Sequence, residues 1–117
     1  MAYLKNTSLL FTFLLCMSFT SFHHGWANYN QEVVLDFKTT IEESVYENPH
    51  ALAKVNYKKK LWTVYLAPTS RMTDRGLSAD MIKKGSAVRI VGYPHKTIKT
   101  EMRAERIYIG DKKFELR

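Results

Sequence analysis

From Val33 onward the chain alternates. Val33, Leu35, Phe37, Thr39 and Ile41 fall on one side, and Asp36, Lys38, Thr40 and Glu42 on the other. A repeat of 180° per residue, rich in β-branched side chains, predicts a long strand buried on one face. "ENPH" (47–50) ends it, because Pro49 has no amide to donate and restricts Asn48 ahead of it. "ALAKVNY" (51–57) and "LWTVYLA" (61–67) predict the second and third strands, joined by a short turn carrying Lys58, Lys59 and Lys60.

Pro68 closes the third strand, and the period then changes. In "LSADMIKKG" (77–85), Ser78 stands as an N-cap, Asp80 in the first turn, Lys83 and Lys84 in the last, and Gly85 just beyond. These placements satisfy the free backbone groups and the dipole of a short helix, with Leu77, Met81 and Ile82 as its apolar face. Strands return at "SAVRIVGY" (86–93), "EMRAERIYI" (101–109) and "KFEL" (113–116), with Gly110-Asp111 as a tight turn between the last two.

A chain of short strands must close or cover its edges. The expected fold is therefore mainly β, an OB-like barrel of five to six strands. One short helix between strands 3 and 4 plugs an opening. An SH3-like barrel or an open α+β sheet is the alternative.

Ahead of this domain runs "LLFTFLLCMSFTSF" (9–22), uncharged and largely apolar, behind the single charge of Lys5. A bilayer-spanning helix needs roughly 20 apolar residues, so the run is too short to span and fits the core of a secretory signal peptide. The expected division is a signal peptide over 1–22, an N-terminal arm over 23–32 and the barrel over 33–117. The product is expected to be exported, periplasmic or secreted, with no transmembrane anchor after cleavage. Cys16 follows Leu14 and Leu15, where lipid attachment would want small residues, and it reads as a small hydrophobe. Its loss with the peptide removes disulfides, zinc–thiolate sites and cysteine nucleophiles together.

The formal charge is +7, and cleavage removes only Lys5 from it. That balance favours an anionic envelope surface or partner protein, with Arg71 and Arg75 among the candidate contacts. Basic residues interleaved with Tyr57, Trp62, Tyr65 and Tyr93 are also the material of single-strand binding. Aromatics in alternating strands are usually core, however, and an exported protein seldom meets nucleic acid, so no nucleic-acid partner is expected. There is no GxSxG turn or Gly-rich phosphate loop, and the adjacent Glu42 and Glu43 point to opposite strand faces. A binding role, and not an enzyme, is expected.

All four histidines lie outside the predicted strand interiors. His23 and His24 stand in the arm, His50 after the first strand and His95 after the fourth. In OB-like barrels the loops after strands one and four flank the ligand face. Imidazole suits copper and zinc without help from cysteine. A histidine at a free N-terminus adds its α-amine as a second donor. The candidate metal set is His23, His24 and His50, with His95 as a further member and Trp26 packing the arm onto the barrel. Solvated loop histidines are the plain alternative, since no HxH or HxxxH spacing pairs two rings.

"HHGW" after an apolar leader, then "ENPH", "WTVYLAP", "RGL", "KKG" followed by "AVRIVGYP", and "MRAERI" resemble a family of small secreted bacterial proteins, domain of unknown function 6152. The resemblance runs from His23 to about Leu116 and implies an exported small β-domain; it implies no particular activity. In similar sequences a small residue precedes "HHGW", whereas here Phe22 does. Cleavage after Thr20 would leave the histidine pair near the mature N-terminus. Cleavage after Ala27 fits the small-x-small rule better and would remove it. The resemblance begins at "HHGW" and favours retention.

Overall fold

Strand β1 (Leu35–Val45) is eleven residues long and is shared between two neighbours. Its first half, Leu35 to Thr40, pairs antiparallel with β4 (Ala87–Pro94), and its second half, Ile41 to Val45, with β2 (Leu52–Tyr57). The strand must turn a corner to serve both, and an irregularity between Ile41 and Glu43 supplies it. The computed structural model describes residues 25–117.

Strand β3 (Lys60–Tyr65) forms a hairpin with β2, and β5 (Glu101–Ile109) pairs antiparallel with β4. Closure comes from a short parallel pairing of β3 with β5 at Thr63–Glu101, Val64–Met102 and Tyr65–Arg103. The result is a closed five-stranded barrel in the order β1-β2-β3-β5-β4. A sixth strand, β6 (Lys112–Glu115), extends it as a hairpin on β5. This is the OB-like barrel expected from the strand order.

Alternation is what fills it. Ile41, Val55, Val64, Ile90, Met102 and Ile107 all point inward and are essentially buried, each worth about 1.5–3 kcal/mol of apolar burial. The first strand begins two residues later than its pattern suggests, because Val33 and Val34 lie before the ladder and remain exposed.

A short helix does lie between β3 and β4, but not where the capping residues predict it. The α-helix is α1 (Thr69–Asp74), while Ala79–Ile82 forms only a 3₁₀ turn, and Ser78 makes no side-chain cap. The stop signal for α1 is Gly76, at φ +83°. The Gly76 amide donates to the Thr73 carbonyl and the Leu77 amide to the Met72 carbonyl, which is the Schellman ending. Met72, Leu77 and Ile82 are all fully buried in the core at this end of the barrel. Six residues with a single buried side chain carry no readable period, which is why α1 escapes the hydrophobic pattern.

At Gly92 the β4–β5 ladder slips by one residue. A Cβ there would lie 2.1 Å from the Arg103 carbonyl oxygen and 2.8 Å from the Ala104 Cα, both backbone atoms of the closing strand. Gly92→Ala is expected to lower stability by about 3 kcal/mol or more. Gly76→Ala should cost only the left-handed penalty of about 1–2 kcal/mol. Urea denaturation of the two variants checks the order, and equal costs would contradict it.

Candidate functional site

The arm ahead of β1 first meets the barrel through the indole of Trp26. A 3₁₀ turn at Trp26–Asn28 sets Trp26 against β5, where the Arg103 guanidinium carbon stands 4.3 Å from the ring centre. The Arg117 guanidinium stands 4.4 Å from it, and Tyr93 meets it edge-on at 6.0 Å. Cation–π contacts of this kind contribute about 0.5–2 kcal/mol each, more as they lose water. Gln31 ties the arrangement together: its amide nitrogen donates to the Trp26 carbonyl at 3.2 Å, and its oxygen accepts from Arg117 at 2.9 Å.

Backbone bonds extend the clasp. The Asn30 amide donates to the Pro94 carbonyl at 2.8 Å and the Lys96 amide to the Asn28 carbonyl at 2.9 Å. Tyr29 is buried and gives its phenol proton to the Glu101 carboxylate at 3.0 Å. Burial first, and the Glu101 charge and hydrogen bond next, hold its pKa far above the usual phenol value. The face of this cluster also gathers cations. Burial lowers the Arg103 pKa, and the neighbouring Arg71 and Arg117 charges push the same way. Arg71 donates to the Leu116 carbonyl at 3.1 Å, so α1 is fastened to the same patch.

His95 is employed by its own loop. Its Nδ1 accepts the backbone amides of Thr97 at 3.1 Å and Ile98 at 3.0 Å. That leaves the proton on Nε2, which faces the Glu101 carboxylate at 3.8 Å. Tyr29 packs edge-on against the ring at 5.1 Å. A ring used this way orders the β4–β5 turn and has given up one of its two ligating nitrogens.

His50 stands in the β1–β2 loop, half-buried, two residues before β2. That loop is tied to α1 by the Thr69 hydroxyl donating to Asn48 at 2.6 Å. Leu52, Tyr65 and Arg103 form one row across β2, β3 and β5, and Ala53, Val64 and Met102 beside them point inward. His50 therefore continues the outer face on which Trp26 is docked. Two strand spacings and two residues place it roughly 12 Å from Arg103. Arg75 is the C-cap of α1 and is exposed.

His23 and His24 lie outside the described residues. Among the described residues no three His, Cys, Asp or Glu side chains converge on one point. Arg103, Arg117, Tyr29 and Glu101 were not singled out as a group from the sequence. The legible signal was the "MRA" alternation, which sets Arg103 outward between Met102 and Ala104, both buried.

The sequence model of the family of unknown function (DUF6152) matches residues 13–103. No curated protein matches the chain.

Tyr29 gives this cluster a pH signature. The unfolded phenol ionises near pH 10, whereas the folded one keeps its proton. Its contribution is complete below pH 10 and is lost as pH rises from there towards the folded pKa. Denaturation midpoints of the native protein should fall above about pH 10. Tyr29→Phe should lose about 1 kcal/mol at neutral pH and show a shallower alkaline slope. Parallel slopes would remove Tyr29 from the account.

Proposed function

The chain belongs to the family of unknown function DUF6152, and from that footing we propose that it is an exported, non-catalytic β-barrel module that binds a transition-metal ion. Copper or zinc is held by His23, His24 and His50. The observation that carries this reading is the docking of Trp26 against Arg103 of β5, in the row that runs through Tyr65 and Leu52 toward His50. His24 is two residues ahead of Trp26, a step of up to about 7 Å at roughly 3.3 Å per residue. Adding the reach of two imidazoles brings the pair within range of His50. Neutral imidazoles and a terminal amine suit copper(II) or zinc and need no thiolate. His95, committed to its own loop through Nδ1, is at most a neighbour of such a centre.

Export is part of the same proposal, because a signal peptide ending ahead of His23 would put the histidine pair at the mature N-terminus. The apolar leader supports it. No helix of the described residues is long and apolar enough to cross a membrane.

A second reading, an interaction module for an anionic envelope component or partner protein, is favoured by the gathering of Arg71, Arg103 and Arg117. Guanidiniums in this arrangement suit carboxylate or phosphate groups and disfavour a bare cation. One experiment separates the readings. Copper(II) or zinc is expected to raise the melting temperature of the mature protein near neutral pH. The gain should fade below about pH 6 as the imidazoles take up protons. His50→Ala should abolish the gain and leave the apo-protein folded. An undiminished gain in that variant would sink the three-histidine centre. Salt-sensitive polyanion binding without any metal effect would establish the second reading instead.

A further inference from the structure

The strand directions sort the loops of the barrel into two ends. β1, β3 and β5 start, and β2 and β4 finish, at the same end. That end therefore carries the lead-in to β1, the β2–β3 turn and the β4–β5 loop. Contacts join the three segments: Phe37 stacks on Tyr57 at 4.0 Å, Tyr57 meets Trp62 at 5.5 Å, and the Thr63 amide donates to the Thr100 carbonyl at 2.9 Å. α1 and the loop bearing His50 belong to the opposite end.

The four large hydrophobic residues that the described part of the chain exposes all fall on this rim: Val33 at 43%, Val34 at 60%, Leu61 at 51% and Ile98 at 51%. They come from three separate segments that the strand directions set at one end of the barrel. Around them stand Lys58, Lys59, Lys60, Lys96 and Lys99, against the one exposed carboxylate of Glu32 in the same segments. None of these lysines forms an ion pair among the described residues.

The turn itself is costly. Lys58 and Lys59 lie at φ +50° and +64°, in a two-residue hairpin turn whose relaxed sequence is Asn-Gly. Left-handed lysines are a poor choice for stability and a good one for presenting two adjacent ammonium groups at a tip.

We propose that this rim docks the protein on an anionic phospholipid surface. Leu61, Ile98 and the two valines enter the headgroup boundary, and the lysines pair with lipid phosphates. An apolar tip ringed by lysines, backed by Tyr57 and Trp62, has the composition of an interfacial anchor, and basic residues near an anionic leaflet each strengthen binding roughly fivefold. A soluble polyanion would use the lysines and leave the four apolar side chains exposed, so the lipid surface accounts for more of the rim. The inference does not depend on the metal reading, and its geometry would hold the loop bearing His50 away from the bilayer.

Co-sedimentation with vesicles tests it. Mature protein is expected to bind phosphatidylglycerol-containing vesicles at low ionic strength, to bind phosphatidylcholine vesicles weakly, and to be released by salt. Lys58→Asn with Lys59→Gly should weaken binding about 25-fold, by the fivefold of each lysine. Its melting temperature should rise, because the turn is relaxed. Leu61→Asp with Ile98→Asp should abolish binding in a protein that still melts cooperatively. Equal binding to both vesicle types would overturn the proposal, as would undiminished binding by the folded variants. Salt-sensitive capture of polyphosphate that survives the two aspartate substitutions, with no vesicle binding, would assign the rim to a soluble polyanion and overturn it too.

Discussion

Three residue pairs between parallel strands decide the character of this molecule. Without Thr63–Glu101, Val64–Met102 and Tyr65–Arg103, the six strands would form an open sheet with two free edges, each a template for association. With them, β3 and β5 become neighbours and the inward residues of all five barrel strands face one core. The closing strand comes so near β4 at the bulge that only Gly92 fits there. Closure also puts Tyr65 beside Arg103 and so creates the outer row on which the arm rests.

The arm depends on that row. Trp26 is half-buried, held by guanidiniums at 4.3 and 4.4 Å and by the edge of Tyr93. Arg103 is mostly covered in return, and its charge is tolerated because the indole face and the Tyr29 phenol lie alongside it. The two partners stabilise each other. Chemistry is then divided by position: α1 and the loop bearing His50 lie at one end of the barrel, while the lysines, the exposed aliphatics and the His95 loop that the arm clasps lie at the other.

Much of this was legible in the residues. Period-two alternation marked the first strand, and β5 begins and ends where "EMRAERIYI" does. Strand order was enough to name the barrel, because five strands with a helix after the third have few ways to close. The helix position was not legible. Ser78, Asp80 and Gly85 advertise a helix more convincingly than the residues of α1, yet only a 3₁₀ turn forms there, ending at Ile82, and the Gly85 amide goes to the Ile41 carbonyl at 2.8 Å. Local capping chemistry lost to the path the chain must take to reach β4. The site was legible in part. His50 and His95 could be placed in loops from strand order, but His95's commitment to two backbone amides depends on the folded turn. The meeting of Trp26 with Arg103 and Arg117 joins residues too far apart in sequence for any pattern to announce.

The central claim is that Trp26 holds the arm against the closing strand, and nuclear magnetic resonance reads this most directly. Ring-current shifts and nuclear Overhauser contacts of the Trp26 indole should appear on the side-chain protons of both Arg103 and Arg117, which would be displaced upfield from their ordinary positions. In Trp26→Leu those arginine protons should return to ordinary shifts while the core methyl signals of Ile90 and Ile107 stay in place. Ordinary arginine shifts in the native protein, with no contact to the indole, would contradict the account.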